Sequence, residues 1–255
     1  MIDLHIHILP GVDDGPGTLD ESIALARSVA ADGTRVVAAT PHVRDDYPTE
    51  PATMERLVAE LRQVLEDRDV DLDVRPGGEI ALGRLQQLGA EGVRRFGLGG
   101  SDRYLLVEFP YAGWPLDLGM QVAGLQRSGM TPVLAHPERN GDVQASPERL
   151  RPLVEAGARV QITAASVDGR LGPRAKAASF ALLELRLAHL LASDAHAPST
   201  RASGMSDALI ALGDDEVARR LVRDAPSAVL AGELLPAEGP SLRRRRRFAL
   251  PRFRR

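Results

Sequence analysis

Short apolar or β-branched runs alternate along this chain with longer segments in which apolar residues recur at helical spacing. The short runs predict strands, and the longer segments predict amphipathic helices. Strands are predicted at residues 2–7, 36–40, 74–79, 105–108, 132–135, 160–162 and 190–193, and helices at 20–31, 53–66, 118–126, 148–155 and 174–187. Strands that alternate with helices predict a parallel sheet.

Seven predicted strands in a chain of 255 residues are accommodated more naturally by one closed or nearly closed barrel than by two open sheets. The predicted fold class is therefore α/β, with a TIM-like barrel in residues 1–240. Residues 236–240 contain two prolines and form the expected boundary. The Arg-rich tail at 241–255 is predicted to be disordered.

Composition favours a globular protein and argues against membrane-spanning, secreted and cysteine-dependent ones. Apolar residues make up 44% of the chain, which supports a sizeable core, yet no apolar run approaches the roughly 18 residues needed to cross a bilayer. The N-terminal sequence lacks the pattern of a secretory signal, so the cytosol is the expected compartment. The chain has no Cys, which excludes disulfides, thiolate metal sites and a cysteine nucleophile.

The charge is unevenly distributed. The formal net charge of −3 includes eight Arg in the last fifteen residues, which leaves −11 on residues 1–240. Phe248, Leu250 and Phe253 lie among these Arg, a combination that suits an anionic membrane surface. A solvated or nucleic-acid-binding tail is the alternative interpretation.

Side chains that can bind metals are found where the predicted strands end. His5 and His7 alternate along the first strand, so both imidazoles point to the same face. A single His at a strand end is more often structural, but five of the six His occupy strand ends, and only His189 does not. The C-terminal ends of barrel strands form one face. The remaining strand-end candidates are His42, Glu79, Glu108, His136, Asp194 and His196.

These imidazoles and carboxylates suit zinc, manganese or iron, and they outnumber the ligands of one tetrahedral ion. We therefore expect two or three divalent metals. Such a centre polarises phosphoryl oxygens and supplies hydroxide near neutral pH, so hydrolysis of a phosphate ester is the predicted reaction. Arg139 and Arg201 closely follow two candidate ligands, His136 and His196, and are candidates to bind the phosphate.

Seven motifs carry a resemblance to a known family: DLHIHILPGVDDG at 3–15, ATPH at 39–42, GGEI at 77–80, VEFP at 107–110, AHPERN at 135–140, QIT at 161–163 and ASDAH at 192–196. In order and spacing the chain resembles the bacterial tyrosine-protein phosphatases of the polymerase-and-histidinol-phosphatase (PHP) superfamily, which are found with capsule and exopolysaccharide genes. The resemblance implies a distorted (β/α)7 barrel and a trinuclear centre, usually supported by manganese.

The resemblance also implies three overlapping sets of metal ligands. In the third set, the acid from the VDDG loop is assigned to Asp14, with Asp13 as the alternative. Arg139 and Arg201 match the family's phosphate-binding arginines. The implied sets are His5, His7, Glu79 and Asp194 for the first metal, Glu79, Glu108 and His136 for the second, and His42, His196 and Asp14 for the third.

The substrate implied by the resemblance is phosphotyrosine on the tail of a membrane-associated tyrosine autokinase that controls polysaccharide export. A phenolate leaving group, whose parent pKa is about 10, needs little protonation by a general acid. The Arg-rich tail would then hold the enzyme at the inner face of the plasma membrane.

Other functions remain open from the sequence. The first alternative is a different phosphoesterase of the same superfamily: a histidinol-phosphatase-like enzyme, some other small-molecule phosphoesterase or a nuclease. Another is a barrel amidohydrolase, although many of these use a modified Lys, and the only Lys, Lys176, lies in a predicted helix. A third is a non-catalytic module that binds nucleic acid or lipid through its tail.

Overall fold

The computed structural model describes residues 1–198 and 204–242, in which all strands pair in parallel. Parallel strands separated by helices confirm the predicted α/β class. The strands are β1 (Ile2–Ile6), β2 (Val36–Ala39), β3 (His42–Val43), β4 (Asp73–Arg75), β5 (Glu79–Ala81), β6 (Tyr104–Glu108), β7 (Thr131–Ala135), β8 (Arg159–Thr163) and β9 (Leu190–Ala192).

Helices connect these strands, and several of them pack against the strands. The α-helices are α1 (Leu19–Ala31), α2 (Pro51–Asp67), α3 (Leu85–Arg95), α4 (Leu118–Arg127), α5 (Gly141–Ala145), α6 (Arg151–Glu155), α7 (Ala164–Asp168), α8 (Pro173–Glu184), α9 (Ser206–Leu212), α10 (Asp215–Arg219) and α11 (Ala225–Leu230). Shorter 3-10 turns lie at Leu82–Arg84, Leu98–Gly100, Pro137–Arg139 and Pro147–Leu150, and a π-helical turn lies at Arg220–Asp224.

The strands form two sheets, ordered β1-β2-β4 and β3-β5-β6-β7-β8-β9, so the single closed barrel expected from the sequence is not confirmed. One predicted strand is shortened in the structure and another is divided. The run 36–40 ends at Ala39, because Pro41 has no N–H to continue the ladder. The run 74–79 is split between β4 and β5 by Pro76 and two glycines.

The second of those glycines has a packing reason. A Cβ on Gly78 would lie 2.6 Å from Cδ1 of Phe96, a buried core residue. The bare backbone therefore lets the chain pass over Phe96 and brings Glu79 into register with His42 of β3.

The two sheets meet where β1 runs beside the segment that follows β9. The backbone N–H of Asp194 donates to the carbonyl of His5 at 2.8 Å, and that of His7 donates to the carbonyl of Ala195 at 2.9 Å. Asp3, fully buried, accepts from the N–H of Ser193 at 3.1 Å and from its hydroxyl. The first and last strands are thus joined beside the end of the sheet that carries the predicted ligands.

Several helices were not predicted, for local reasons. Helix α3 contains Gly89 with φ 64°, which interrupts its helical backbone, and α9, α10 and α11 have only five to seven residues each. At the C-terminal side, Leu242 packs against the core, so the folded part extends slightly beyond the predicted boundary at 240. Within the described ranges, no helix has the length and apolar content required to cross a membrane.

Candidate metal centre

His5 and His7 lie at the C-terminal end of β1, and both are fully buried. Their Nε2 atoms are 3.3 Å apart. The other ring nitrogens have partners: Nδ1 of His5 lies 2.9 Å from Oε1 of Gln161, and Nδ1 of His7 lies 2.7 Å from Oδ2 of Asp13. An acceptor at Nδ1 holds the ring proton there, so both Nε2 lone pairs face a common point, as in metal-binding imidazoles.

Glu79, also fully buried, lies among four imidazoles. Its Oε1 is 2.8 Å from Nε2 of His136, and its Oε2 is 2.9 Å from Nδ1 of His42 and 3.5 Å from Nε2 of both His5 and His7. Burial alone would raise the pKa of Glu79, but the positive charge that His5 carries when its ring is protonated and the hydrogen bond with His136 hold this pKa well below its usual value. The carboxylate is therefore ionised and central to the site.

Asp194 and His136 follow β9 and β7 and have left-handed backbones, with φ of 52° and 38°. Such conformations cost on the order of 1–3 kcal/mol in residues other than Gly, and they cluster at functional sites. The turn at Asp194 brings its Oδ1 to 3.4 Å from Nε2 of both His5 and His7. The strained backbone at Asp194 therefore turns its carboxylate toward the two histidines of β1.

The two adjacent acids of the VDDG loop differ in their surroundings. Asp13 accepts from Nδ1 of His7 and from the backbone N–H groups of Gly15 and His42, so it orients the His7 ring and holds the backbone beside it. Asp14 instead places Oδ1 at 3.4 Å from Nε2 of His42 and 3.2 Å from Nε2 of His196. The hydrogen bond with His196 lowers the pKa of Asp14 well below its usual value.

Glu108 ends β6 and is largely buried beside Arg44, whose Nη1 donates to it at 3.1 Å. Burial and the nearby negative charge of Glu79 raise the pKa of Glu108. Arg44 was not among the predicted site residues, since it belongs to no recognised motif and only the loop after β3 brings it to Glu108.

The predicted ligands come together in four overlapping groups, in each of which the candidate ligand atoms lie within 4.8 Å of one another. The donor set fits divalent metals. It combines imidazoles and carboxylates, and two of its buried atoms, Oε2 of Glu79 and Nδ1 of His42, lie 2.9 Å apart without the alignment of a hydrogen bond. The groups are His7, Asp14, His42 and His196; His5, Glu79 and His136; His5, His7 and Asp194; and His42, Glu79 and Glu108.

Arg139 lies beside this centre, in the 3-10 turn that follows His136. Its Nη2 donates to Oδ2 of Asp194, and its Nη1 donates to the Tyr111 hydroxyl at 3.3 Å. Burial would lower the pKa of Arg139, but the adjacent Asp194 carboxylate raises it overall, so the guanidinium stays charged. Arg201, the other predicted phosphate ligand, lies outside the described residues.

Two further supporting residues, Asp3 and Gln161, were missed from the sequence. Asp3 accepts from the backbone N–H of His5 at 3.2 Å as well as from Ser193, and Gln161 holds Nδ1 of His5. Asp3 had a signal, because it precedes His5 and His7 at the same two-residue spacing and so shares their face. Gln161 was seen only as part of the QIT motif.

His189 belongs to none of the four ligand groups and directly precedes β9. Its Nδ1 accepts from the backbone N–H of Val160 at 3.2 Å, and its Nε2 donates to the carbonyl of Ala237 at 3.1 Å. Burial lowers the pKa of His189 to about 4. It is a neutral imidazole bound to backbone on both sides, as the structural interpretation of the sequence expected.

Comparison with known proteins gives consistent results. The family model described as capsular polysaccharide synthesis, CpsB/CapC, matches residues 1–231. Tyrosine-protein phosphatase YwqE of Bacillus subtilis (strain 168) is 40% identical over 215 residues, 83% of this chain and 84% of that protein. Tyrosine-protein phosphatase CpsB of Streptococcus pneumoniae is 28% identical over 246 residues, 92% of this chain and 100% of that protein.

A solved structure of tyrosine phosphatases has the same fold as this chain. It comes from work on YwqE from Bacillus subtilis and CpsB from Streptococcus pneumoniae, described there as unique metal-dependent tyrosine phosphatases. It superposes on this chain with a TM-score of 0.85 and 36% sequence identity, over 95% of this chain and 100% of that one.

Proposed function

Because this chain belongs to the capsular polysaccharide synthesis CpsB/CapC family, we propose that it is a metal-dependent protein-tyrosine phosphatase that acts in capsular or exopolysaccharide synthesis. The observation that carries the proposal is the convergence of four overlapping His and carboxylate groups on one face of the fold. The relatives with which it shares this family are named tyrosine-protein phosphatases, and the similar solved structure is of metal-dependent enzymes.

The proposed centre holds two or three divalent metals, with manganese favoured. Overlap among the four groups supports this number, since Glu79 belongs to two of them and His7 to two others. Asp14 is the proposed acid of the third set, because Asp13 already accepts three hydrogen bonds. The proposed ligands are His5, His7, Glu79 and Asp194; Glu79, Glu108 and His136; and Asp14, His42 and His196.

When bound, divalent metals supply Lewis acidity toward the phosphoryl oxygens and a water of lowered pKa. The residues of the chain prepare this chemistry. Gln161 and Asp13 keep the ring protons of His5 and His7 on Nδ1. Arg139 keeps a charged guanidinium at the edge of the centre, where we propose that it contacts the substrate phosphate, together with Arg201.

The proposed substrate is the phosphotyrosyl tail of a membrane-associated tyrosine kinase. Tyrosine suits the site, because a phenolate with a parent pKa of about 10 leaves without a strong general acid. The Arg-rich tail at 241–255 is proposed to bind an anionic membrane surface, which would place the enzyme, otherwise cytosolic, peripherally near that kinase.

We further propose that the two sheets together form a distorted barrel. β2 and β3 follow one another along the chain, as do β4 and β5, and each pair is separated only by a short break. The Ile6–Ala195 bridge joins β1 to the segment after β9. Taken as seven interrupted strands, the order supports a closed arrangement around the ligands.

The test combines elemental analysis of native protein with hydrolysis assays on a phosphotyrosyl peptide, histidinol phosphate and nucleic acid, each with and without manganese. The proposal expects two or three metals per chain and preferential, manganese-dependent hydrolysis of the peptide. Preferential hydrolysis of histidinol phosphate, or full peptide hydrolysis by metal-free protein, would contradict it.

A further inference from the structure

A cleft of about 550 Å³ opens directly beside the proposed metal centre. Glu108 forms part of its wall, and so does Tyr111, whose ring stacks on that of His136 with centroids 5.5 Å apart and an interplanar angle of 3°. Leu82 and Pro115 line it further out. A substrate whose phosphate reached the metals would therefore have a mainly apolar surface next to it.

The cleft borders a second cavity of about 390 Å³, since Asp117 and Gln121 line both. Leu85 and Met120 line this second part. We call the two together the flanking groove. Met120 is 72% exposed and Leu116, which precedes α4, is fully exposed, so exposed apolar side chains lie at and near the groove.

One polar atom in the groove has no partner. Nε2 of Gln121 donates to Oδ2 of Asp117, but Oε1 of Gln121 is buried and accepts no hydrogen bond from the described residues. Buried acceptors are usually satisfied, and an orphaned one calls for an explanation. A backbone N–H of a bound peptide would supply the missing donor once the Gln121 side chain rotates to expose this oxygen to the groove.

The loop that borders the groove is anchored. Trp114 packs edge-to-face on Phe109 at 5.7 Å, and the guanidinium of Arg149 lies 4.4 Å above the Trp114 ring. The exposed side chains of Tyr111 and Leu116 therefore extend from a segment fixed on its inner side, and the groove is formed before any ligand arrives.

We propose that the flanking groove binds the peptide on one side of the phosphotyrosine in an extended form, with apolar side chains against Leu82, Pro115 and Met120 and a backbone N–H on Oε1 of Gln121. The inference rests on the proposed phosphatase function and adds sequence preference to it. The groove is continuous with the centre through Glu108 and Tyr111, so the phosphate and the flanking residues can be bound at once.

The test measures kcat/KM with manganese for three phosphotyrosyl peptides and for p-nitrophenyl phosphate. One peptide has Leu at the three positions before the phosphotyrosine, one has Leu at the three positions after it, and one has Ser throughout. We expect one Leu peptide to exceed the Ser peptide by about tenfold, the order of effect of one apolar contact. Met120→Glu should remove this preference, and Gln121→Met should raise KM for all three peptides.

Ile210→Glu is the matched control, since Ile210 is 77% exposed on α9 and does not line the groove. It should change no rate, and p-nitrophenyl phosphate should respond to none of the three substitutions. Two results would overturn the proposed groove without affecting the proposed phosphatase function. One is an equal kcat/KM for all three peptides. The other is a loss of kcat/KM for p-nitrophenyl phosphate in the Met120 and Gln121 variants as large as their loss for the peptides. No turnover of any aryl phosphate would instead overturn the proposed function and the groove with it.

Discussion

Replacing Asp13 by Asn should weaken both the fold and metal binding, although Asp13 is not a proposed ligand. Its carboxylate accepts from Nδ1 of His7 at 2.7 Å and from the N–H groups of His42 and Gly15, both at 3.0 Å. An amide has one acceptor oxygen, so its NH₂ must face at least one of these donors.

The size of the effect follows from those contacts. A buried donor left without a partner costs about 1–3 kcal/mol, so without metal the free energy of unfolding should fall by about that amount. For a protein of this size, each kcal/mol lowers Tm by about 2–4 °C. Loss of the carboxylate behind a ligating His typically lowers metal affinity about 10- to 100-fold.

The assay is urea unfolding in the presence of a chelator, followed by calorimetric titration of the apoprotein with Mn²⁺. Asp14→Asn is the matched variant, because the Asp14 side chain is 43% exposed and its proposed role is as a ligand. It should lower metal occupancy with a much smaller change in urea midpoint. If Asp14→Asn destabilises the apoprotein as much as Asp13→Asn does, or if Asp13→Asn binds Mn²⁺ with unchanged affinity, the assignment of the two acids is wrong.

Four further predictions concern metal, phosphate, pH and the tail. Chelation should abolish phosphotyrosyl-peptide hydrolysis and manganese restore it, with thiol alkylation without effect in a chain that has no Cys; retained activity at verified zero metal would refute this. Arg139→Ala should raise the activation free energy of turnover by roughly 2–4 kcal/mol, and His136→Ala should in addition reduce the metal content found by elemental analysis. Unchanged kinetics for Arg139→Ala would show that Arg139 has only a structural role. The pKa of His189 is lowered to about 4 in the fold from about 6.5 in the unfolded chain, so the stability that neutral His189 contributes is present above pH 6.5 and is lost as the pH falls toward 4. The urea midpoint of His189→Gln should therefore fall less steeply than that of the unsubstituted protein over this window. Parallel curves for the two proteins would contradict a buried, neutral His189. Deleting residues 243–255, which spares Leu242 in the core, should leave soluble-peptide hydrolysis unchanged but weaken low-salt binding to anionic vesicles; equal vesicle binding by both forms would exclude the membrane role.

The sequence predicted the parts of this molecule that rest on short-range patterns. Alternation along β1 placed His5 and His7 on one face, and the shared direction of parallel strands placed the other strand-end ligands beside them. The helical spacing of apolar residues predicted α1 to within one residue of its bounds, and the structure adds a capping box of Thr18 and Glu21 at its start.

What could not be predicted depends on contacts between distant residues. Pro41 and Pro76 mark the two strand breaks locally, but the division into two sheets also involves the packing of Gly78 on Phe96, on which strand propensity carries no information. The flanking groove likewise depends on how α4 lies beside the 82–85 segment, and no motif marks Gln121 or Met120.

The junction of β1 with the segment after β9 has a consequence for biosynthesis. His5 pairs with Asp194 and Asp3 with Ser193, across about 190 residues of chain. Contacts of such long range form slowly, because the intervening loop must be closed before they contribute. On the ribosome, the first ligands are made long before their partners, so a nascent chain that ends before Asp194 cannot complete the centre. With the proposed ligands, complete metal binding therefore requires synthesis to have passed Asp194, and shorter chains lack an assembled centre.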